Sequence, residues 1–400
     1  MRFAFVTFEY PPFVQGGAGV YAENITKELA RLGNEVHVIT PKVDGSEEYK
    51  IGNGIFIHRI NFINKPLLSA PSYWIGLKKQ FKIIEQDVGG FDVVHGNAVS
   101  DFSLIKKMVN VPRIITVHHL ARDVLEIINP TFLDRVKHLG GEIGMTPFIE
   151  KICIERADKI ITVSEYTKRK LVSLYNISLR KIEVIYNGDG KKNFRFSENE
   201  KSEVKEKYSI SNDKPVLLFV GRVDDKRKGL DFLLKAFEVV LSKIDANLVV
   251  VGSGNKEPYK RFSSSLGIGE NVIFTGYVDD LTLRKFYSIF GIHVAPSIYD
   301  IFGNVVLEAC ACGTPVIVTD RCGIADIVDG EMGYVIEYDK DQLRDVIIKV
   351  LSDEELWRGF GVVGKQLVRE KFGWNKIAIQ IENIYKYIQN GATEYAKSKH

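Results

Sequence analysis

One pattern limits what this chain can become, and it runs through the sequence twice. Short apolar runs rich in β-branched residues, each stopping at a glycine or a polar residue, recur in the first half as RFAFVTFE, EVHVITP, FDVVHGN, RIITVHH, KIITVSE and VIYNG. Helix-like segments separate several of them, which is how βα units with a parallel sheet buried on both faces read in sequence. One such helix is VYAENITKELARLG, apolar at helical spacing and closed by Gly33. From about residue 214 the pattern restarts as PVLLFVGR, ANLVVVGSG, NVIFTGYV, IHVAPS, PVIVTD and GYVIE. The expected fold class is therefore α/β with two parallel sheets, one over residues 1–195 and one over 205–374. The polar stretch Gly188 to Asn212 reads as the connection between them. The segment 375–400 continues the helical period of WNKIAIQIENIYKYI and is expected to pack back on the first domain.

Composition narrows the partners. Lys and Arg number 54 against 51 Asp and Glu, a net charge of +3, so bulk charge points to no nucleic acid. Cys153, Cys310, Cys312 and Cys322 lack the paired C-x-x-C spacing of a zinc site and read as buried, reduced thiols. The apolar stretch Met1 to Phe8 is short and runs into Glu9 and Pro11-Pro12, which fits a buried first strand better than a signal peptide. Apolar runs of roughly 18 residues are absent, which excludes a spanning helix and makes the cytoplasm the expected compartment. Residues 73–84, YWIGLKKQFKII, suit weak contact with an anionic membrane surface or a lipid-linked acceptor; the competing reading is a helix packed on the sheet with a solvated basic edge.

Ligands of open parallel sheets sit beyond the carboxyl ends of the strands, so the polar residues ending these runs should line a site. The densest candidate is SIYDIFGNVVLEACACGTPVIVTD, residues 297–320, where Phe302-Gly303-Asn304 open a helix between Asp300 and Glu308. A helix N-terminus offers unpaired N–H groups to a phosphate or sugar oxygen, and Glu308 can accept from two vicinal hydroxyls. The plain alternative makes Asp300 a helix cap and Glu308 a solvated carboxylate. In VGRVDDKRKGLDFLLKAF, Arg222 and Lys228 follow a buried strand and can neutralise a departing diphosphate. In PPFVQGGAGVYAEN, Gly17, Gly19 and Ala22 match G-x-G-x-x-A, but Glu9 to Gln15 intervene after the strand. The loop can still bring backbone N–H groups to a phosphate or sugar, while simple turn geometry is the competing account. His118 and His119 end IITVHH, and since successive strand residues alternate faces, at most one enters a site. Asp339-Lys340-Asp341 spells D-x-D, yet it opens the helical segment DQLRDVIIKVL, where acids suit the dipole, and it is rejected as a metal site.

Taken together, GGAGVYAENITKELARLGNEVHVIT, DVVHGN, TVHH, ADKIITVSEYTKRKL, VIYNG, VGRVDDKRKGLDFLLKAF, VVVGSG and the 297–320 block resemble the retaining glycosyltransferases of family four over nearly the whole length. The resemblance implies the GT-B arrangement, two facing Rossmann-like domains with an interdomain cleft. The first would bind the acceptor and the second a UDP-, GDP- or ADP-linked sugar, whose sugar passes to a hydroxyl of a saccharide, small-molecule or lipid-linked acceptor. It implies no metal and no cofactor besides the nucleotide sugar. By position, Arg222 and Lys228 would bind the diphosphate, Glu308 the ribose, and Asp300 with the amides of Phe302, Gly303 and Asn304 the transferred sugar. Gly16 and Gly17 would close over the diphosphate, His118 would sit beside the sugar, and Gly254 and Val278 would contribute to the donor pocket. Two positions depart from the family: Asp300 stands where glutamate opens its E-x7-E signature, and Gly190 stands where its NGVD segment has aspartate. A silent sugar-nucleotide-binding protein, a 2-epimerase and a phosphorylase are the alternatives; NAD binding is not expected.

Overall fold

The computed structural model describes residues 1–14, 16–43, 49–51, 54–65, 68–105, 109–123, 142–189, 196–289, 291–328 and 330–397. Two compact units emerge: unit 1 is Met1–Gly188 with Trp374–His400, and unit 2 is Asp189–Gly373.

Unit 1 holds β1 (Arg2–Val6), β2 (Glu35–Pro41), β3 (Tyr49–Ile51), β4 (Ile55–Ile60), β5 (Val93–Asn97), β6 (Arg113–Val117), β7 (Lys159–Thr162) and β8 (Ile182–Val184). They form one sheet in the order β3-β4-β2-β1-β5-β6-β7-β8. Every pairing is parallel except that of β3 with β4. The central strands are buried almost along their length because helices cover both faces, so most of their residues are apolar, with His95, Asn97, Arg113, Thr116, Lys159 and Thr162 as buried polar exceptions. Helix Gly17–Arg31 presents Tyr21, Ala22, Ile25 and Leu29 to one face, and the C-terminal helix Trp374–Lys397 adds Trp374, Ile377, Ile381 and Tyr385 to the same core. Helix Ser69–Asp87 covers the other face with Tyr73, Leu77, Phe81 and Ile84.

Unit 2 holds β9 (Val216–Val220), β10 (Asn247–Val251), β11 (Val272–Gly276), β12 (Ile292–Ala295), β13 (Val316–Thr319) and β14 (Gly333–Ile336), all parallel, in the order β11-β10-β9-β12-β13-β14. Strand order reverses between β1 and β5 in unit 1 and between β9 and β12 in unit 2. These are the switch points at which such sheets bind ligands.

The polar stretch read as a connection contains a helix, Glu198–Lys207, opened by a capping box in which Ser197 and Glu200 satisfy each other's backbone N–H groups. VIYNG contributes only Val184 to a strand, which is Ile182–Val184. Gly190 lies outside the described residues. The four thiols are free, three buried and Cys312 half-buried. Burial pushes the Cys310 thiol up to about 12 and raises Cys153, Cys312 and Cys322 as well, so all four stay protonated.

Candidate functional site

Unit 2 gathers most of the expected residues at its switch point. After β9 the chain makes a single turn of 3₁₀ helix, Lys226–Lys228, ended by Gly229 at φ 71°. A Cβ at Gly229 would lie 2.0 Å from the Pro296 carbonyl, so only glycine lets this loop meet the one after β12. Lys228 Nζ there donates to Asp300 Oδ2 at 2.6 Å. Burial alone lowers the pKa of Lys228, but the charge and hydrogen bond of Asp300 outweigh it and leave the ammonium raised, a permanent cation.

Asp300 does not cap the following helix. That place belongs to Gly303 at φ 96°, with no side-chain cap, so helix Asn304–Cys312 opens with its own N–H groups. Phe302 is buried, and its carbonyl accepts from the Cys322 thiol at 3.4 Å. Glu308, one turn in, is half-buried and lies 3.5 Å from the hydroxyl of Tyr287.

Arg222 is mostly exposed and meets Asp224 Oδ1 at a loose 3.4 Å. Gly254 lies against that aspartate: a Cβ there would be 2.6 Å from Asp224 Oδ1. Val278 is half-buried just past Gly276, at the carboxyl end of β11. Asp339 caps helix Lys340–Ser352 by accepting from Gln342 N, and Asp341 pairs with Arg344, which accounts for the D-x-D acids as helix-end groups.

Unit 1 gathers Gly16, Gly17 and His118 through Asn97, the last residue of β5. Gly16 precedes helix Gly17–Arg31, and its N–H donates to Glu9 Oε2 at 3.0 Å. Asn97 Nδ2 donates to Thr7 Oγ1 and to the Ala18 carbonyl, each at 3.0 Å. Its Oδ1 therefore accepts from His118 Nε2 at 2.6 Å, which assigns the proton to Nε2 and a lone pair to Nδ1. Burial, with a smaller contribution from His119, pushes His118 down to about 3, so the imidazole is neutral. His118 is buried and His119 exposed, both just past the end of β6 at Val117.

Sequence reasoning missed Asn97, Glu9, Tyr287 and the buried ion pair of Arg284 with Asp189, at 2.7 and 3.1 Å. Asn97 was reachable, because it is the polar residue ending FDVVHGN. Nothing in sequence tells Tyr287 from an ordinary core aromatic.

Known proteins share this architecture and these motifs. Residues 15–188 match the model of Glycosyltransferase Family 4, and residues 200–366 that of Glycosyl transferases group 1. An uncharacterized glycosyltransferase of Methanocaldococcus jannaschii is 30% identical over 391 residues, 96% of this chain and 98% of that one. The chain belongs to this glycosyltransferase family. The sucrose-phosphate synthase of Thermosynechococcus elongatus superposes with a TM-score of 0.79 at 22% identity, over 98% of this chain and 99% of that one. HepE of Anabaena, solved with UDP and glucose, gives 0.71 at 16% identity, over 97% and 100%. The glycosyltransferase thus has the two-domain, Rossmann-like GT-B fold, and it acts in sugar transfer.

Proposed function

We propose that the protein is a retaining, metal-independent hexosyltransferase in which unit 2 binds a nucleotide-diphosphate sugar and unit 1 binds a hydroxyl-bearing saccharide, small-molecule or lipid-linked acceptor. The observation that carries this reading is the Lys228–Asp300 pair at the β9/β12 switch point, beside the N-terminus of helix Asn304–Cys312, whose N-cap Gly303 supplies no side-chain cap. Arg222 and Lys228 take the charge of the diphosphate, Asp300 and the amides of Phe302, Gly303 and Asn304 hold the sugar, and Glu308 accepts from the ribose hydroxyls. Gly254 and Val278 flank the nucleoside. In unit 1, the Gly17 amide at the start of helix Gly17–Arg31 and the Nδ1 lone pair of neutral His118 are the candidates for a phosphate or a sugar hydroxyl.

In the reaction the acceptor oxygen bonds to the anomeric carbon on the leaving-group face as the bond from that carbon to the phosphate oxygen breaks. The acceptor proton passes to a departing phosphate oxygen, giving the glycoside and a nucleoside diphosphate with retained configuration. Arg222 and Lys228 stabilise the diphosphate more as its charge develops than in the ground state, which is the difference that accelerates the step.

HepE of Anabaena was solved with UDP bound, so UDP is the first nucleotide to try. Thermal unfolding of wild type and Glu308→Ala with UDP, GDP or ADP and no added metal tests the donor. One nucleotide that stabilises the wild type and not the variant is expected; no response to any of them would favour a non-nucleotide GT-B activity. A nucleotide that binds without any transfer to a panel of acceptors would mark a silent binding protein. Turnover that stops in EDTA would remove metal independence.

Helix Ser69–Asp87 supports a membrane-surface role for the acceptor side. Its outward stripe is Ile75 and Ile83, each 58% exposed, with Lys78, Lys79 and Lys82 between them, a pairing of apolar and basic groups that suits anionic headgroups. No helix among the described residues is long and apolar enough to cross a membrane. Cosedimentation with phosphatidylglycerol vesicles at low salt should be lost when the three lysines become glutamates; wild type that stays in the supernatant refutes the contact.

A further inference from the structure

The groups behind Glu308 assign a role to a residue that no donor-contacting motif includes. We propose that Tyr287 is a positioning residue: its hydroxyl fixes the Glu308 carboxylate in the orientation that reads the ribose. The inference rests on the reading of Glu308 as the ribose-binding acid.

Tyr287 is 1% exposed, in helix Asp280–Ile289, and its ring has little freedom. Its carbonyl accepts from the Thr314 hydroxyl, and its ring stands edge-on to His293 of β12, with centroids 5.8 Å apart at 83°. The helix itself is anchored one turn earlier, where buried Arg284 grips Asp189 through two hydrogen bonds. A buried phenol needs a partner, and the one this ring faces is Glu308 Oε2 at 3.5 Å. Burial, and after it the charge of Glu308, hold the phenol pKa well above its usual 10, so Tyr287 remains a donor across the working pH range.

A carboxylate has about four lone-pair sites on two oxygens. The bond from Tyr287 takes one of them and sets the direction of the others. The positive charge of Arg284 also lies near Glu308.

The test compares affinities for UDP, GDP and ADP with those for their 2′-deoxy counterparts, by titration calorimetry on wild type and Tyr287→Phe. The wild type should prefer the ribonucleotide, and Tyr287→Phe should shrink that preference by about 3- to 10-fold while leaving 2′-deoxy binding and the melting temperature nearly unchanged. A purely structural tyrosine would weaken both nucleotides alike. In the Glu308→Gln background, Tyr287→Phe should no longer alter the preference. An unchanged preference in Tyr287→Phe overturns the positioning role while the donor reading stands. A wild type that binds no nucleotide, or that fails to distinguish ribose from deoxyribose, removes the reading of Glu308 and this role with it. If Tyr287→Phe does not fold, 3-fluorotyrosine incorporated at Tyr287 keeps the packing. Its fluorine resonance should move with the ribonucleotide and stay still with the 2′-deoxy form; equal movement with both overturns the proposal.

Discussion

Each unit places an aspartate shortly after the strand across its switch point, and each aspartate meets a cation at hydrogen-bond distance, yet the two pairs differ in burial. Asp101 follows β5 and takes Arg113 through Nε at 2.5 Å and a terminal nitrogen at 2.9 Å, with side chains 0% and 4% exposed. The other terminal nitrogen of Arg113 donates to the Cys153 carbonyl. A Cβ on Gly96 would fall 2.3 Å from Asp101, so glycine makes room for the acid under the sheet end. Asp300 follows β12 and takes Lys228 at 2.6 Å, but its side chain is 16% exposed and that of Lys228 25%. The first pair is closed: its guanidinium fork is used within the fold and water is excluded. The second is open, because an ammonium carries three donors and Asp300 uses one of them. Similar charge chemistry thus serves as a staple between β5 and β6 in one unit and leaves a partly exposed pair in the other.

Breaking each pair should separate stability from activity. Asp101→Asn strands a buried guanidinium, so unfolding in urea should show a loss of about 3–5 kcal/mol. A loss below about 1 kcal/mol, the range of exposed pairs, would mean water reaches the site and the contrast is false. Lys228→Met removes a cation from the open pair. Its stability should shift far less, while kcat falls by roughly 10²–10³, as for loss of one preorganised charge donor. Normal turnover by a folded Lys228→Met protein would return Lys228 to a structural role, and Arg222→Ala gives the matching test of the more exposed cation.

How much of this was legible beforehand follows from where the constraints lie. Strands β9, β10, β12 and β13 of unit 2 stand out in sequence because every residue in them is buried, which forces continuous apolar runs. Strand β4, IFIHRI, lies near the sheet edge and alternates buried with half-buried residues, a weaker signal beside a short antiparallel neighbour. Helix Glu198–Lys207 is hidden in a polar stretch whose composition speaks for a connection, although the spacing of Ser197 and Glu200 spells a capping box. At the candidate site, Arg222, Lys228, Asp300 and Glu308 were legible as polar residues at strand ends. That Asp300 meets Lys228 instead of capping the helix was not, since the partners are 72 residues apart and meet only because β9 and β12 are neighbours. Tyr287 was invisible for the opposite reason: its ring packs like any core aromatic, and only its hydroxyl has a particular neighbour.

A third carboxylate sharpens the comparison, because it is buried in unit 1 with no cation hydrogen-bonded to it among the described residues. Glu150 is 3% exposed and accepts from Tyr175 Oη at 2.6 Å and from Ala121 N at 2.8 Å. Asp123 lies nearby, itself engaged by Lys170 and Tyr166. Burial, against the pull of those two hydrogen bonds and with some help from Asp123, pushes Glu150 up to about 7. The folded state therefore binds more protons than the unfolded chain between the ordinary glutamate value near 4.5 and about 7, so this contribution to stability is complete below that window and lost as pH rises through it. Glu150→Gln keeps the shape and has no charge to bury. At pH 8 it should be more stable than the wild type by about 3 kcal/mol, and at pH 4.5 the two should unfold together. A gain independent of pH would mean the carboxylate does not titrate in this window. A loss at pH 8 would mean that Glu150, like Asp101, holds its place as a charge, and that burial in unit 1 is compatible with an ionised acid even without a cation bonded to it.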